Sequence, residues 1–300
     1  MRNWTASFLS LRAYVLVVAL VGSIGSSHAL TLASWNIEWL SSDPSERFEA
    51  SLRSAQDFDA LGRYFAQIDP DVLAFQEVND EQALRNVVGS GYQIWLSDRS
   101  LERHQDAQFG AINQYTGFAV RAGIEVVQRN DIILVDQARS RLRFAAYLVL
   151  NPQGHQPLHL LSVHLKAGCS GAYRDNRDCR LLYTQGESLN AWISEREANQ
   201  EAYLIMGDFN HNLAFKGDWL WRTLTEGTKA QLASDRTAAQ CVVRSNKQAN
   251  KTHKFRSLID HVITSPSLTL ATPYQVTYET SDLFQYRLSD HCPMVTRIID

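Results

Sequence analysis

The sequence predicts an α/β fold in one large domain, with apolar strands packed beneath helices. Short apolar runs recur along the chain, and two long segments between them have apolar residues at helical spacing. Helical and strand-like segments in alternation are typical of layered α/β domains. The 300-residue chain is 45% hydrophobic and 20% charged, which is an ordinary globular composition, and it contains no internal repeat or low-complexity linker. We therefore expect residues 30–300 to form one domain.

Each predicted element follows from its own residue pattern. The strand-like runs are short and apolar, and several end in polar residues; they lie at 30–37, 71–78, 116–122, 144–150, 158–165, 202–209, 258–264 and 293–299. Helical spacing occurs in RFEASLRSAQDFDALGRYFAQI, residues 47–68, and in RLLYTQGESLNAWISEREA, residues 180–198.

The first 29 residues have the pattern of a secretory signal peptide. Arg2 and Arg12 precede an apolar run at 13–25. The small residues Ser27 and Ala29 favour cleavage after Ala29. The apolar run is too short to span a bilayer comfortably. We expect a secreted or periplasmic protein with no membrane attachment after cleavage.

The net charge gives little indication of a partner. The formal charge is −3 for the whole chain and about −5 without the leader, which carries two arginines and no acid. This balance is not typical of a nucleic-acid-binding protein, although a local basic patch would be sufficient for binding. The sequence predicts a monomer and implies no stable protein partner.

Four cysteines are compatible with disulfide bonds in an exported protein. Cys169 and Cys179 bracket a polar loop, and we expect them to pair. Zinc is the competing interpretation for this pair, and it is disfavoured because no histidine or second cysteine pair lies at zinc-finger spacing. Two alternatives are open for the other pair: Cys241 and Cys292 form a second disulfide bond, or Cys292 is a buried free thiol.

Polar side chains lie at the ends of several strand-like runs. Alone, each is explained by a turn, but such residues at the same end of buried strands converge in space. Since side chains alternate along a strand, residues two apart are expected on one face. Carboxylates with histidines and two amides suit Mg²⁺ or Mn²⁺ better than zinc, with Ca²⁺ as a third option. The set is Asn36, Glu38, Glu77, His164, Asp208, Asn210, Asp260, His261, Asp290 and His291.

Six short motifs in this order resemble the endonuclease/exonuclease/phosphatase superfamily, which includes pancreatic deoxyribonuclease and the apurinic-site endonucleases. They are WNIEWL, FQEV, SVHL, GDFN, LIDH and SDHCP, and the resemblance covers residues 31–300. It implies a four-layer α/β sandwich, in which two mixed sheets pack face to face with helices outside. It also implies metal-dependent hydrolysis of a phosphoester.

The resemblance assigns metal and phosphate roles at the first strands. Glu77 is implied as a ligand of the divalent cation, and Glu38 and Asp290 as further carboxylates of the metal site. Asn36 is implied to hold the metal–phosphate arrangement, and Asn210 to contact the phosphate. These residue types fit the chemistry, because a cation offsets charge on phosphate oxygens and an amide donates a hydrogen bond without adding negative charge.

The resemblance also assigns acid–base roles. Asp208 is implied to orient or deprotonate the attacking water, and His291 to lie close to the phosphorus with Asp260 behind it. An acid behind a histidine fixes its tautomer and favours its charged form. His164 is implied to act on the leaving oxygen, whereas His261 matches no family role and is expected to be structural.

The sequence departs from the deoxyribonuclease pattern at one position, and a second position has more than one candidate residue. Gln114 stands where that branch has an acid supporting its first active-site histidine, which bears on the role of His164. The branch also uses an arginine that reaches the phosphate from a position near RSRLRF. Arg141 is the candidate here, with Arg139 and Arg143 close beside it.

The sequence is compatible with three alternative functions. A secreted nuclease acting on DNA or RNA is favoured by basic segments at 174–180 and 244–256, which flank the implied site and would suit a phosphate backbone. A phosphatase or sphingomyelinase-type lipid phosphodiesterase of the same superfamily is the alternative. A catalytically inactive binding module is disfavoured by the full set of polar residues.

Overall fold

The structure, a computed structural model, describes residues 1, 29–137, 140–151, 156–245, 247–248 and 250–299. The predicted signal peptide lies almost entirely outside the described residues, and Arg139 lies outside them as well. The division into a leader at 1–29 and a domain at 30–300 therefore stays a prediction.

The described part of the chain contains fourteen strands and five α-helices. The strands are β1 Thr31–Leu40, β2 Val72–Val78, β3 Tyr92–Leu96, β4 Tyr115–Arg121, β5 Val126–Gln128, β6 Ala146–Leu150, β7 Leu158–His164, β8 Ala202–Asp208, β9 Gln231–Leu232, β10 Val242–Arg244, β11 Thr252–Lys254, β12 Asp260–Thr264, β13 Tyr274–Gln275 and β14 Met294–Arg297. The helices are α1 Ala55–Ile68, α2 Glu81–Val88, α3 Arg177–Ala198, α4 Trp219–Thr225 and α5 Thr280–Gln285.

The strands form two six-stranded mixed sheets and one separate hairpin. The first sheet has the order β13-β14-β1-β2-β4-β3, and the second has the order β5-β6-β7-β8-β12-β9. The hairpin is β10-β11. In each sheet a parallel pair lies at the centre, β1 with β2 and β7 with β8, and its neighbours run antiparallel.

Three hydrophobic cores separate four layers. One core lies between the sheets and joins residues such as Leu32 and Phe118 of the first to Leu160 and Met206 of the second. A second core packs the outer face of the first sheet against α1 and α2. A third packs the outer face of the second sheet against α3 and α4. This arrangement is the predicted α/β sandwich, so the fold prediction is confirmed.

The sequence pattern located all eight predicted strands within a few residues, but it began the first helix too early. The helix α1 begins at Ala55 because the Ser54 side chain accepts a hydrogen bond from the backbone N–H of Asp57, and the Asp57 carboxylate accepts one from Ser54 N–H. Part of the preceding segment forms a 3-10 turn at Glu49–Ser51 instead. The helix α3 begins at Arg177, where the Asn176 side chain caps the N–H of Cys179.

All four cysteines are disulfide-bonded. Cys169 pairs with Cys179, as predicted, and Cys241 pairs with Cys292, which leaves no free thiol in the described part of the chain. The second bond joins the start of the β10-β11 hairpin to the residue that follows His291. None of the helices that the structure describes is long and apolar enough to cross a membrane.

Candidate active site

The candidate site lies where the central parallel strands of both sheets end. In the first sheet, β1 and β2 are in regular register up to Asn36 and Gln76, and the register then shifts before Leu40 pairs with Val78. In the second sheet, His164 at the end of β7 lies opposite Asp208 at the end of β8. The facing sheets therefore bring the ends of four strands together, as the sequence pattern predicted.

Local backbone distortion aims the carboxylates at the site. Glu38 has φ +46° and Glu77 has φ +59°, which is the left-handed region that non-glycine residues rarely adopt. The period-two alternation expected for Asn36 and Glu38 therefore does not operate, because the strand departs from regular geometry at Glu38. Asn210, with φ +51°, is placed in the same way after β8 ends. Strain of this kind clusters at functional sites.

Asn36 connects the two sheets through its amide. Its Nδ2 donates to Glu77 Oε1 at 3.2 Å and to Asp208 Oδ2 at 3.1 Å, and its Oδ1 accepts from Glu38 N–H at 3.0 Å. The other oxygen of Glu77 accepts from Trp39 N–H at 3.2 Å. Glu77 is therefore fixed at both oxygens, with part of its surface still open to solvent.

Asp208 is buried at the centre of the group. Its Oδ1 accepts from Asn210 N–H at 2.7 Å, and its Oδ2 lies 3.3 Å from Asn210 Nδ2. Burial, with added repulsion from Asp260 and Glu77 that His291 partly offsets, raises the pKa of Asp208 to about 7. A carboxyl with a pKa near neutrality suits a general base.

The two Asp-His pairs of the sequence are crossed in space. Asp260 Oδ2 lies 2.8 Å from Nδ1 of His291, not of its neighbour His261, and His291 Nε2 lies 3.8 Å from Asp208 Oδ2. Burial lowers the pKa of His291, but Asp260 and Asp208 more than offset that effect and hold the pKa well above its ordinary value. The Nε2 of His291 lies on the side of Asp208, and the two aspartates favour the protonated form of the ring.

His261 faces away from this group. It is completely buried, its Nδ1 lies 2.9 Å from Ser234 Oγ, and its Nε2 accepts from Leu213 N–H at 3.2 Å. Burial lowers the pKa of His261 to about 4. These contacts support the structural role expected for it.

Glu38 and Asp290 form the solvent-facing end of the site. Asp290 N–H donates to Glu38 Oε2 at 3.1 Å, and both side chains line a cavity of about 560 Å³. Burial and the charges of Asp290 and Glu77 raise the pKa of Glu38 to about 8, against the opposing charge of Arg53. Repulsion among these carboxylates would be relieved by a bound cation.

His164 lies between the two halves of the site. Its Nε2 is 3.6 Å from Glu77 Oε1 and 3.5 Å from Asp208 Oδ2, and burial and the charges of Arg143 and His291 lower its pKa well below the ordinary value. Its Nδ1 is buried without a hydrogen-bond partner in the described residues. The described residues therefore supply no acid that orients His164 through Nδ1.

The structure brings Arg143, rather than Arg141, to the carboxylates. The Arg143 guanidinium donates from Nη2 to Leu165 O at 2.8 Å and interacts electrostatically with Glu77 and Asp208. Arg141 is exposed and lines a neighbouring cleft. Arg143 is therefore better placed than Arg141 for the predicted contact between an arginine and the phosphate.

The donor set fits a hard divalent cation. Glu38, Glu77 and Asp290 offer partly exposed carboxylate oxygens, which Mg²⁺ and Mn²⁺ prefer, and Mg²⁺ commonly uses only one or two carboxylates with waters and substrate phosphate. The described potential ligand atoms that gather within 4.8 Å belong instead to Asp208, Asp260 and His291. We interpret that group as acid–base, because Asn36 and Asn210 already donate to Asp208 and the Asp260 carboxylate is paired with His291.

Several supporting residues were not predicted. Arg53, whose side chain is fully buried, donates to the carbonyl oxygens of Ile37, Glu38 and Leu288 and so ties the end of β1 to the segment before His291. Its partners are up to 235 positions away in sequence. No local pattern identifies such a residue.

The backbone around His291 has its own hydrogen-bonded support. Tyr278 Oη donates to His291 O at 2.5 Å, and Trp35 Nε1 lies 3.0 Å from Tyr278 Oη. Ser289 Oγ donates to Asn36 O at 2.7 Å and accepts from His291 N–H at 3.0 Å. The position of His291 is therefore set from both sides of its peptide unit.

The arrangement can stabilise and cleave a phosphoester. Asp208 can deprotonate a water, and Asn210, Arg143 and His291 all lie near Asp208, where their donor groups can serve anionic oxygens. His164 Nε2 lies within 3.6 Å of both Glu77 and Asp208, close enough to the group for the predicted contact with a leaving oxygen. A divalent cation held by the carboxylates would supply charge neutralisation on the phosphate.

Solved structures with the same fold come from several organisms. An endonuclease/exonuclease/phosphatase family protein from Bacteroides thetaiotaomicron has a TM-score of 0.64 at 13% identity and covers 91% of this chain and 98% of its own. Truncated TDP2 from Caenorhabditis elegans has a TM-score of 0.61 at 20% identity, covering 91% and 98%. A mannosyl-6-phosphatase from B. thetaiotaomicron has a TM-score of 0.63 at 13% identity, covering 90% and 100%.

These identities support a shared fold and leave the substrate open. No curated protein matches the chain significantly in sequence. The model of the endonuclease/exonuclease/phosphatase family, in contrast, matches residues 33–291, which include every predicted site residue. This chain therefore belongs to the endonuclease/exonuclease/phosphatase family of phosphoester hydrolases.

Proposed function

We propose that the protein is a secreted, Mg²⁺- or Mn²⁺-dependent phosphodiesterase that hydrolyses nucleic acid, with DNA as the main substrate and RNA as a second. Glu77, with Glu38 and Asp290, would hold the cation. Export is supported by the signal-peptide pattern and by two disulfide bonds, which persist in oxidising compartments.

The main support for a polymeric substrate is the position of a basic hairpin. The hairpin β10-β11 and its loop expose Lys247, Lys251 and Lys254, and the Cys241–Cys292 bond ties its base to the residue after His291. Arg244 of the same hairpin lines the cavity that contains Glu38 and Asp290. A cationic segment fixed beside the reaction centre would contact phosphates on either side of the one being cleaved.

The residues divide the proposed reaction between them. Asp208 deprotonates the attacking water, and Asn210 and Arg143 donate to the non-bridging oxygens of the phosphate. His291, oriented by Asp260, stabilises negative charge as it builds in the transition state. His164 donates to the oxygen of the leaving nucleoside.

The test is digestion of supercoiled plasmid, linear DNA and RNA by the purified protein, with Mg²⁺ or Mn²⁺ and with EDTA. We expect cleavage of DNA that EDTA abolishes and that Asp208→Asn reduces at least 100-fold. Hydrolysis of a sugar phosphate or of sphingomyelin in preference to every nucleic acid would refute the nuclease proposal and favour the phosphatase or lipid phosphodiesterase alternative. Metal-independent binding without turnover of any ester would refute enzymatic function.

A further inference from the structure

A cationic cleft lies next to the candidate site, on the side of Arg143. Its volume is about 380 Å³, and its walls come from the segment before β6, the residues after β7 and the first turn of α3. Four of its lining residues are cationic, Arg141, Arg143, Lys166 and Arg177, and none of its described lining residues is acidic. We name these four residues and the space between them the arginine cleft.

The charges of the arginine cleft are only partly compensated. Lys166 Nζ forms an ion pair with Asp178 Oδ1 at 2.9 Å. Arg141 and Arg177 are exposed, and within the described ranges neither forms an ion pair with a carboxylate. Two guanidinium groups that converge on one cleft without acids suit an anion, and their planar donor geometry suits phosphate in particular.

The arginine cleft is contiguous with the reaction centre. Arg143 Nη2 and Asn210 Nδ2 both donate to Leu165 O, at 2.8 and 3.1 Å, so these two side chains are neighbours. Lys166 follows His164 by two positions, which limits the distance between their Cα atoms to about 7 Å. An anion in the cleft would therefore lie one group away from the phosphate being cleaved.

We infer that the arginine cleft binds the phosphate next to the scissile one in a polynucleotide, with Arg141 and Arg177 as its ligands. This inference rests on the proposed function and makes it more specific. The cleft is large enough for a nucleotide, and Phe109, Leu142 and Leu181 give it apolar walls beside the cations. A substrate with a single phosphate would not reach both the cleft and the centre.

The experiment measures binding separately from turnover. A fluorescein-labelled thymidine octanucleotide is titrated by anisotropy in Mg²⁺ with the Asp208→Asn protein, which prevents hydrolysis. The double variant Arg141→Gln/Arg177→Gln is compared with Arg222→Gln/Arg236→Gln, which removes the same charge from exposed positions outside the cleft. A methylphosphonate octanucleotide, without backbone charge, and inorganic pyrophosphate as a competitor complete the set.

We expect the cleft variant to raise Kd for the octanucleotide at least 10-fold relative to the control variant. The slope of log K against log salt should become shallower by about 0.7, since the cleft holds one phosphate and each neutralised phosphate on a single strand contributes about 0.7. Binding of the methylphosphonate probe should not change between variants. A Kd within twofold of the control would overturn the inference, as would tight binding of pyrophosphate without any binding of the octanucleotide.

Hydrolysis of the same octanucleotide by the protein with Asp208 intact tests the proposed function on its own. If the octanucleotide binds through the two arginines but is not cleaved, the cleft assignment stands and the nuclease proposal fails. If it is cleaved with equal kcat/KM by the cleft and control variants, the nuclease proposal stands and the cleft assignment fails.

Discussion

The substitution His261→Gln should make the protein less sensitive to mild acid. In the folded protein burial lowers the pKa of His261 to about 4, compared with 6.5 for an unperturbed histidine. The folded state therefore keeps His261 neutral, while the unfolded state binds a proton below pH 6.5. The unfolded chain binds more protons between pH 6.5 and 4, so the free energy of unfolding falls as the pH falls through that range.

The size of the effect follows from the two pKa values. At pH 5 the unfolded histidine is almost fully protonated and the folded one is almost fully neutral, which costs about 2 kcal/mol relative to pH 8. The full difference, reached below pH 4, is about 3 kcal/mol. Glutamine can accept from Leu213 N–H and donate to Ser234 Oγ, as the neutral ring does, and it does not titrate.

The assay is urea unfolding of wild type and His261→Gln at pH 8 and pH 5, with the disulfides intact. The free energy of unfolding of wild type minus that of the variant should be about 2 kcal/mol smaller at pH 5 than at pH 8, because all other titratable groups are the same in both proteins. A difference that stays constant within about 0.5 kcal/mol would show that His261 is not held neutral by burial.

Three further predictions concern the site. Glu77→Ala should remove nearly all hydrolysis while circular dichroism shows a folded protein, and near-native turnover that still needs metal would exclude Glu77 as a ligand. His291→Ala should reduce kcat by about 100-fold or more, as expected for a charge-stabilising group, whereas equal losses in kcat for His261→Ala would contradict the crossed pairing. Neutralising Lys247, Lys251 and Lys254 together should raise KM on DNA and flatten its salt dependence without changing kcat much, and an unchanged KM on DNA would separate the hairpin from the substrate.

The sequence predicted eight of the fourteen described strands, because each of the eight is a short apolar run whose burial leaves little choice of structure. The other six have two to five residues each and too little pattern to identify; they are β3, β5, β9, β10, β11 and β13. It predicted less well where local pattern and tertiary contacts compete. The predicted start of α1 was too early because it did not take account of Ser54 and Asp57. These two residues form a capping box, which the sequence shows as a serine followed three positions later by an acid. The short helix α2 was not predicted, although Asp80 caps it, because eight residues give a weak periodic pattern.

In the candidate site, too, the sequence identified the residue types but not all of their pairings. Residue types at strand ends, with the family resemblance, identified the carboxylates and histidines that the structure brings together. Which aspartate serves His291 depends on how β12 lies beside β8, where Asp260 is opposite Asp208. That register is a property of the assembled sheet. The choice of Arg143 over Arg141 likewise depends on backbone direction in an irregular segment before β6, which residue spacing does not determine.

The left-handed backbone at Glu38, Glu77 and Asn210 has a consequence for engineering. Six non-glycine residues in the described chain have positive φ, and three of them are these site residues. Glycine adopts this conformation without the steric cost, so Glu38→Gly or Glu77→Gly should relieve roughly 1 kcal/mol of strain and some charge repulsion. The same substitutions remove the hydrogen bonds that Asn36, Trp39 and Asp290 donate to these carboxylates, so any gain in stability here comes at the expense of the candidate metal site, and stabilised variants must be screened for activity at each round.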